Sequence, residues 1–222
     1  MIVYGSILSP FVRKVTAFIA EKGLTAEVKA GGMGRGGAAF EEASPFRKMP
    51  GFRDPGADGG RDFVISDSTA IITYLEARHP EPNLIPAAPV SRARAIWFEE
   101  FADTMVAKMG GAIFFNRFVA PRVLGREGDE GAASAAERDE LPPLLDYLER
   151  SVPESGFLVE DRITLADLSV ASPFQNLRHV GVEVDGTRWP RATSYLDAIL
   201  ARPSFADMIA RETEIIAGMG RT

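Results

Sequence analysis

The chain contains no cysteine. That excludes disulfides, a cysteine nucleophile, thiolate metal sites and Cys-x-x-Cys redox chemistry, so any thiol used here must arrive with a ligand. Histidine is almost as scarce: His79 and His179 stand far apart without clustered partners, and no metal site is expected. Nothing approaches the ~18 unbroken apolar residues of a membrane span, so no membrane partner is expected either. Long blocks of one charge sign are also missing. With 25 basic and 31 acidic side chains the net charge is −6, which argues against nucleic acid as a partner. The start, Met1-Ile2-Val3-Tyr4-Gly5, runs directly into a strand pattern, and a cytoplasmic location is expected by default.

What is present describes a folded chain. At 222 residues and 45% hydrophobic content there is enough apolar material for one large domain or two modest ones. Ile2 to Tyr4 is a short β-rich run stopped by Gly5-Ser6, and Pro10 stands where a helix can begin. Val12, Val15, Phe18 and Ile19 then form one apolar stripe that ends at Gly23. Ala26 to Ala30 is a weaker strand, followed by glycine-rich Gly31 to Gly37 and a brief helical stretch from Ala38 to Ala43, ended by Pro45. Gly51-Phe52-Arg53 and Asp62 to Ile65 read as two strands around the turn Asp54 to Gly60. Ser68, Ile71, Ile72 and Leu75 line the next helix, which His79-Pro80 terminates. Residues 1–80 therefore read β-α-β-α-β-β-α.

Residues 81–90 carry Pro82, Pro86 and Pro89 and few helix formers, the composition of a linker. From 91 to 222 strand signals vanish, and amphipathic patterns such as Trp97, Phe98, Phe101, Met105 and Met109, then Leu144, Leu145 and Leu148, predict an all-helical domain. Gly125 to Ala133 is a charged gap between helices, and Phe205 to Ile216 reads as the last helix.

Several residue groups could carry chemistry. Ser9-Pro10-Phe11 places Ser9 at an N-cap and Pro10 at the first helical position. The same hydroxyl, beside the positive end of a helix, could also favour an anion such as a ligand thiolate. Lys48-Met49-Pro50 precedes a strand, where a proline fits whether its peptide bond is trans or cis. Asp67 or Ser68 can cap the third helix, or can hold the carboxylate and ammonium of an amino-acid end group. Thr164-Leu165-Ala166-Asp167 is a capping box with Asp in place of Glu, and a structural role is expected for Thr164 and Asp167. Gly32-Met33-Gly34-Arg35-Gly36-Gly37 matches a dinucleotide glycine pattern, but Pro45 leaves no room for the long helix such a site needs.

The order and spacing of Ser9-Pro10-Phe11-Val12-Arg13-Lys14-Val15, Glu21-Lys22-Gly23-Leu24, Lys48-Met49-Pro50 and Ser66-Asp67-Ser68-Thr69-Ala70-Ile71-Ile72-Thr73-Tyr74-Leu75 resemble the cytosolic glutathione transferases over the whole chain. The resemblance implies an α/β plus all-α fold: a thioredoxin-like, glutathione-binding domain at 1–80, the linker, and an all-helical domain at 91–222 that shapes the second-substrate pocket. It also implies glutathione as co-substrate, no permanently bound cofactor, a detoxifying reaction on a small electrophile, and a homodimer. Ser9 resembles the serine that holds the glutathione sulfur as thiolate, with Tyr4 as the alternative catalyst at the end of the first strand. Lys48 resembles a contact to the glycyl carboxylate, and Met49 the residue whose backbone pairs with the cysteinyl unit before a cis Pro50. Asp67 and Ser68 resemble the γ-glutamyl site. Phe11, Met105, Met109, Phe114 and Phe115 are candidates for lining the pocket of the apolar co-substrate, with a place in the core as the alternative for such a stripe. The sequence departs from the family at Met49, where a small aliphatic residue is usual, and at Phe52, where leucine is common.

Overall fold

The fold is described from a computed structural model in which residues 1–219 are placed. Residues 220–222, the end of the expected helical domain, lie outside the described residues. The chain divides into two compact units, Met1–Leu84 and a second beginning at Ile85.

The first unit is built on a four-stranded sheet in the order β2-β1-β3-β4. Strand β1 (Ile2–Tyr4) pairs parallel with β2 (Glu27–Lys29) and antiparallel with β3 (Gly51–Asp58), which pairs antiparallel with β4 (Arg61–Ser66). Side chains on a strand alternate between faces, so Ile2 and Tyr4 share one side and Val3 takes the other. Tyr4 packs with Phe40 and Ala43 of helix α2 (Gly37–Ala43). The apolar stripe of helix α1 (Pro10–Glu21), Val12, Val15, Phe18 and Ile19, is buried, as are Ile71, Ile72 and Leu75 of helix α3 (Ser68–Arg78).

The hairpin is longer than the sequence suggests. Both strands extend through what reads as a turn, which shrinks to Gly59 and Gly60 at φ 58° and 89°. Two successive residues at positive φ match the twist of antiparallel strands, and glycine takes that conformation without penalty. Pro55, which cannot donate to the ladder, falls in the register shift between Asp54 and Asp58, and the Gly56 N–H there donates to Asp62 Oδ1 at 3.2 Å.

The start of the proline-rich segment is anchored within the first unit. Lys22, at the end of α1, pairs with Glu76 Oε2 at 2.5 Å and donates to the carbonyls of His79 and Pro82, each at 2.7 Å. Glu76 Oε1 in turn accepts from Asn83 Nδ2 at 2.9 Å and from the Leu84 N–H at 3.2 Å. A buried ammonium is tolerated when its donors are matched in this way.

Among the described residues the second unit contains no strand. It comprises α4 (Pro89–Glu100), α5 (Ala107–Phe114), α6 (Glu130–Ala135), α7 (Leu141–Ser151), α8 (Leu165–His179), α9 (Pro190–Leu200) and α10 (Pro203–Met219). Helix α8 is the hub, buried from Leu165 to Leu177 and in contact with α4, α5, α9 and α10. Three π-helical stretches, Phe101–Val106, Phe115–Val123 and Ala136–Glu140, interrupt the α-helical hydrogen bonding.

Asp167 fixes the start of α8. Its Oδ2 accepts from the Thr164 N–H at 2.9 Å and the Thr164 hydroxyl at 3.1 Å, while Oδ1 accepts from the Leu158 N–H at 2.9 Å and the Tyr195 hydroxyl at 3.3 Å. Burial pushes the Asp167 carboxyl up to about 6, and the four hydrogen bonds oppose that rise. Burial, with the neighbouring carboxylate, holds the Tyr195 phenol well above its usual range.

Candidate functional site

The sheet register gathers the chemistry-bearing segments of the first unit at one end. Tyr4 pairs with Lys29 on one side and with Gly51 on the other, and Gly51 pairs with Ser66. Whatever leaves these four residues away from the strands therefore leaves from the same edge: the turn Gly5–Ser9, the glycine run after Ala30, Lys48–Pro50 and Asp67–Ser68. Direct bonds confirm that closeness. The Gly5 N–H donates to the Lys29 carbonyl at 2.9 Å, the Ser6 N–H to Met49 Sδ at 3.1 Å, and the Asp67 N–H to the Pro50 carbonyl at 3.3 Å. The Met49–Pro50 peptide bond is cis.

Ser9 occupies the N-cap position of α1, with φ −78° and ψ 125°, and Pro10 follows at the first helical position. The hydroxyl does not cap. It makes no hydrogen bond to the first turn and has no partner among the described residues, which corrects the expectation of an N-cap bond. Proline at the first helical position already removes one of the free N–H groups, and its fixed φ defines the helix start.

Asp67 carries the cap expected of the Asp67-Ser68 pair. Its Oδ1 accepts from the Thr69 and Ala70 N–H groups at 3.0 and 3.1 Å, with the backbone at φ 83°. That conformation is uncommon for a residue with a side chain and signals local strain. Its second carboxylate oxygen has no partner among the described residues, and the same holds for the buried Ser68 hydroxyl. Lys48 is exposed, while its carbonyl accepts from the Ser44 hydroxyl at 2.7 Å.

Tyr4, the alternative catalyst, lies on the α2 side of the sheet. It is 4% exposed and its hydroxyl is bonded to Arg53, whose guanidinium is also paired with Asp62 and Glu42. Those partners, Asp62 first and then Glu42, hold the Arg53 pKa above its ordinary value. Arg13 is fully buried in α1.

The glycine run holds contacts that sequence reasoning missed. A Cβ at Gly32 would stand 2.7 Å from Met49 Sδ, and one at Gly31 would stand 2.8 Å from the Phe40 ring, closer than real Cβ contacts allow. Adjacent glycines just after a strand are a signal for such close approach.

The expected apolar walls do not form one surface within the helical unit. Met109 is 1% exposed and Phe114 stacks on Phe118 at 5.0 Å, so both are core residues. Met105 is 43% exposed and lines a cleft with Lys108, Asp139, Glu140, Pro143 and Leu144, whereas Phe115 lies under the Arg126 guanidinium. Ala102, Val106, Met109 and Ile113 form the buried stripe of this helical run, and Met105 lies outside it. Phe11 is partly buried on α1.

Comparisons with known proteins agree with this architecture. A family model for the glutathione S-transferase N-terminal domain matches residues 3–83, and one for the glutathione S-transferase C-terminal domain matches residues 122–212. The stringent starvation protein A homolog of Coxiella burnetii is 27% identical over 218 residues, covering 97% of this chain and 94% of that protein. A glutathione S-transferase of Hyoscyamus muticus is 28% identical over 218 residues, covering 94% of this chain and 97% of that protein. Among solved structures, a glutathione S-transferase from Methylobacterium radiotolerans in complex with glutathione sulfonate is 26% identical, with a TM-score of 0.74 over 94% of this chain and 93% of that one. Matched by both domain models over most of its length, the chain belongs to the glutathione S-transferase family.

Proposed function

We propose that the chain is a glutathione transferase in which the Ser9 hydroxyl holds the glutathione sulfur as thiolate for attack on an electrophilic, largely apolar co-substrate. The observation that carries this reading is the unused Ser9 hydroxyl at the positive end of α1, on the sheet edge that also presents Lys48, Met49, Asp67 and Ser68. A free thiol ionises near ~8.5, so at neutral pH only a few per cent is nucleophilic, and a hydroxyl donor with a helix N-terminus shifts that balance. The γ-glutamyl carboxylate takes the Ser68 hydroxyl, and its ammonium takes the Asp67 oxygen that the cap leaves over. Lys48 meets the glycyl carboxylate, and the Met49 backbone meets the cysteinyl unit. Conjugation, isomerisation and dehalogenation all start from this thiolate. The working assembly in this reading is a cytoplasmic homodimer, which sedimentation would reveal by its mass.

The test is a calorimetric titration with glutathione followed by a panel of electrophiles assayed with and without it. Saturable binding and glutathione-dependent turnover are the expected result. A second reading, a transferase-like fold used as a binding module, draws on the similarity to a protein named for stringent starvation rather than for transfer. Binding without turnover on any electrophile would favour it.

A further inference from the structure

With no cysteine in the chain, its oxidisable sulfur resides in seven methionines. Met33 and Met105 are 55% and 43% exposed, while Met109, at 1%, is sealed in the core. Met49 combines partial exposure with an engaged sulfur: its Sδ accepts from the Ser6 N–H at 3.1 Å, in the turn that leads from β1 to Ser9.

Gly32 closes another side of the same thioether. A Cβ there would stand 2.7 Å from Sδ, 2.9 Å from Cγ and 3.1 Å from Cε, so the glycine backbone lies against the end of the side chain. Gly32 is also the first residue of a tight turn. The Arg35 N–H donates to its carbonyl at 2.9 Å, with Met33 and Gly34 at φ 51° and 79°, the pair of positive angles that marks a type I′ turn. Any shift of Gly32 carries that turn with it.

Oxidation has no neutral outcome at such a sulfur. When hydrogen peroxide attacks a thioether, the S–O bond forms and the O–O bond breaks, and sulfur gives up two electrons. The proton of the transferred hydroxyl passes to the departing one, which leaves as water, and the product is methionine sulfoxide. There is no room for the new oxygen between Sδ and a nitrogen 3.1 Å away. Placed on the other lone pair, it turns the sulfur from a weak acceptor into the positive end of an S–O dipole facing the Ser6 N–H. A side chain that turns to offer the oxygen to Ser6 must instead back the sulfur away from that nitrogen, in a space that Gly32 already fills. Each arrangement displaces the turn at Ser6 or the turn at Gly32, and both border the sheet edge that presents Ser9, Lys48, Asp67 and Ser68.

We propose that Met49 is a redox modification site, at which oxidation of the thioether to sulfoxide by hydrogen peroxide breaks the Ser6–Met49–Gly32 contact and weakens glutathione binding. The change is reversible: a methionine sulfoxide reductase with a dithiol returns the thioether, a disulfide and water. The broken contact stands on the geometry alone, and its effect on glutathione rests on the proposed assignment of this edge as the glutathione site.

The test treats the full chain with hydrogen peroxide in steps and removes the peroxide before each measurement. Sulfoxide at each methionine is followed by peptide mass spectrometry, the Ser6 amide by NMR, and glutathione affinity by calorimetry. The Ser6 signal is expected to move in proportion to Met49 sulfoxide, affinity to fall roughly tenfold, and both to recover after the reductase. In Met49→Leu, Met33 and Met105 still oxidise, but neither the Ser6 signal nor the affinity, whatever its starting value, is expected to respond to peroxide. Met49 left as thioether when Met33 and Met105 are fully oxidised, a Ser6 signal indifferent to Met49 sulfoxide, or an equal peroxide response in Met49→Leu would each overturn the proposal. Unchanged affinity in a chain that binds glutathione and carries Met49 sulfoxide overturns the switch alone. An untreated chain that does not bind glutathione overturns the functional reading and with it the effect on affinity, while the Ser6 signal still decides the broken contact.

Discussion

The Ser6 N–H donates to the thioether of Met49 at 3.1 Å, bonding the turn after β1 to the turn before β3. Thioether sulfur is a weak acceptor, yet this one also fills the space left by Gly32, where a Cβ would stand 2.7 Å from its Sδ. The methionine that departs from the family pattern is therefore integral to this corner. Met49→Leu keeps the volume and removes the acceptor. A stability loss of about 1 kcal/mol in urea unfolding is expected, with weaker glutathione binding because the Ser6 N–H loses its partner. Unchanged stability and affinity together would show that the sulfur contributes shape alone.

Ser9→Ala separates chemistry from capping more cleanly than the sequence suggests, because the hydroxyl makes no cap bond to lose. Thermal unfolding is expected to stay within ~0.5 kcal/mol of the parent, where a lost N-cap would cost ~1 kcal/mol. Glutathione affinity should hardly move, the pKa of the bound thiol should rise, and the ascending, acid-side limb of the rate profile should shift to higher pH. Tyr4→Phe is the control: it removes the bond to Arg53 and should leave the thiol pKa alone. A Tyr4→Phe protein that loses the thiolate while folded Ser9→Ala keeps it would transfer the catalytic role to Tyr4.

Asp67 serves the α3 cap and, in the proposed site, the ligand ammonium. Asp67→Asn keeps an oxygen for the Thr69 and Ala70 N–H groups, and asparagine tolerates positive φ, so stability should change little. The charge is lost, and glutathione affinity should fall roughly tenfold or more by calorimetry. Asp67→Ala removes both functions and should also cost ~1 kcal/mol of stability. Equal glutathione affinity in Asp67→Asn and the parent would remove Asp67 from the ligand site.

Asp167 makes stability depend on pH in a defined direction. Its folded pKa, about 6, lies above the ordinary 3.8, so the protonated group favours the folded state. This contribution is fully present below about pH 3.8 and fades as pH rises through about 6. The full swing is of the order of 2–3 kcal/mol at ~1.4 kcal/mol per unit. Urea unfolding of the parent and Asp167→Asn at several pH values isolates it, since the variant lacks the titrating carboxyl. The stability difference, parent minus variant, should decrease between pH 4 and 7. A difference that stays constant across that window would contradict the raised pKa.

The sequence by itself determined the elements and their order. Val12, Val15, Phe18 and Ile19 on α1, the glycine and proline punctuation, and the Thr164–Asp167 box act over a few residues, and local signals of that range can be read from spacing. The candidate glutathione residues were legible for the same reason, as short motifs beside strand ends. Tertiary structure decided what each residue's free atoms do. Whether Ser9 caps or leaves its hydroxyl open, and which face Tyr4 takes, depends on sheet register and on α2, far away in sequence. The π-helical stretches were equally hidden, because a local change of hydrogen-bond partner leaves no mark in a pattern counted at 3.6. Glu130 and Glu137 converge on Arg117 from other elements of the helical unit, a pairing that packing and not spacing decides.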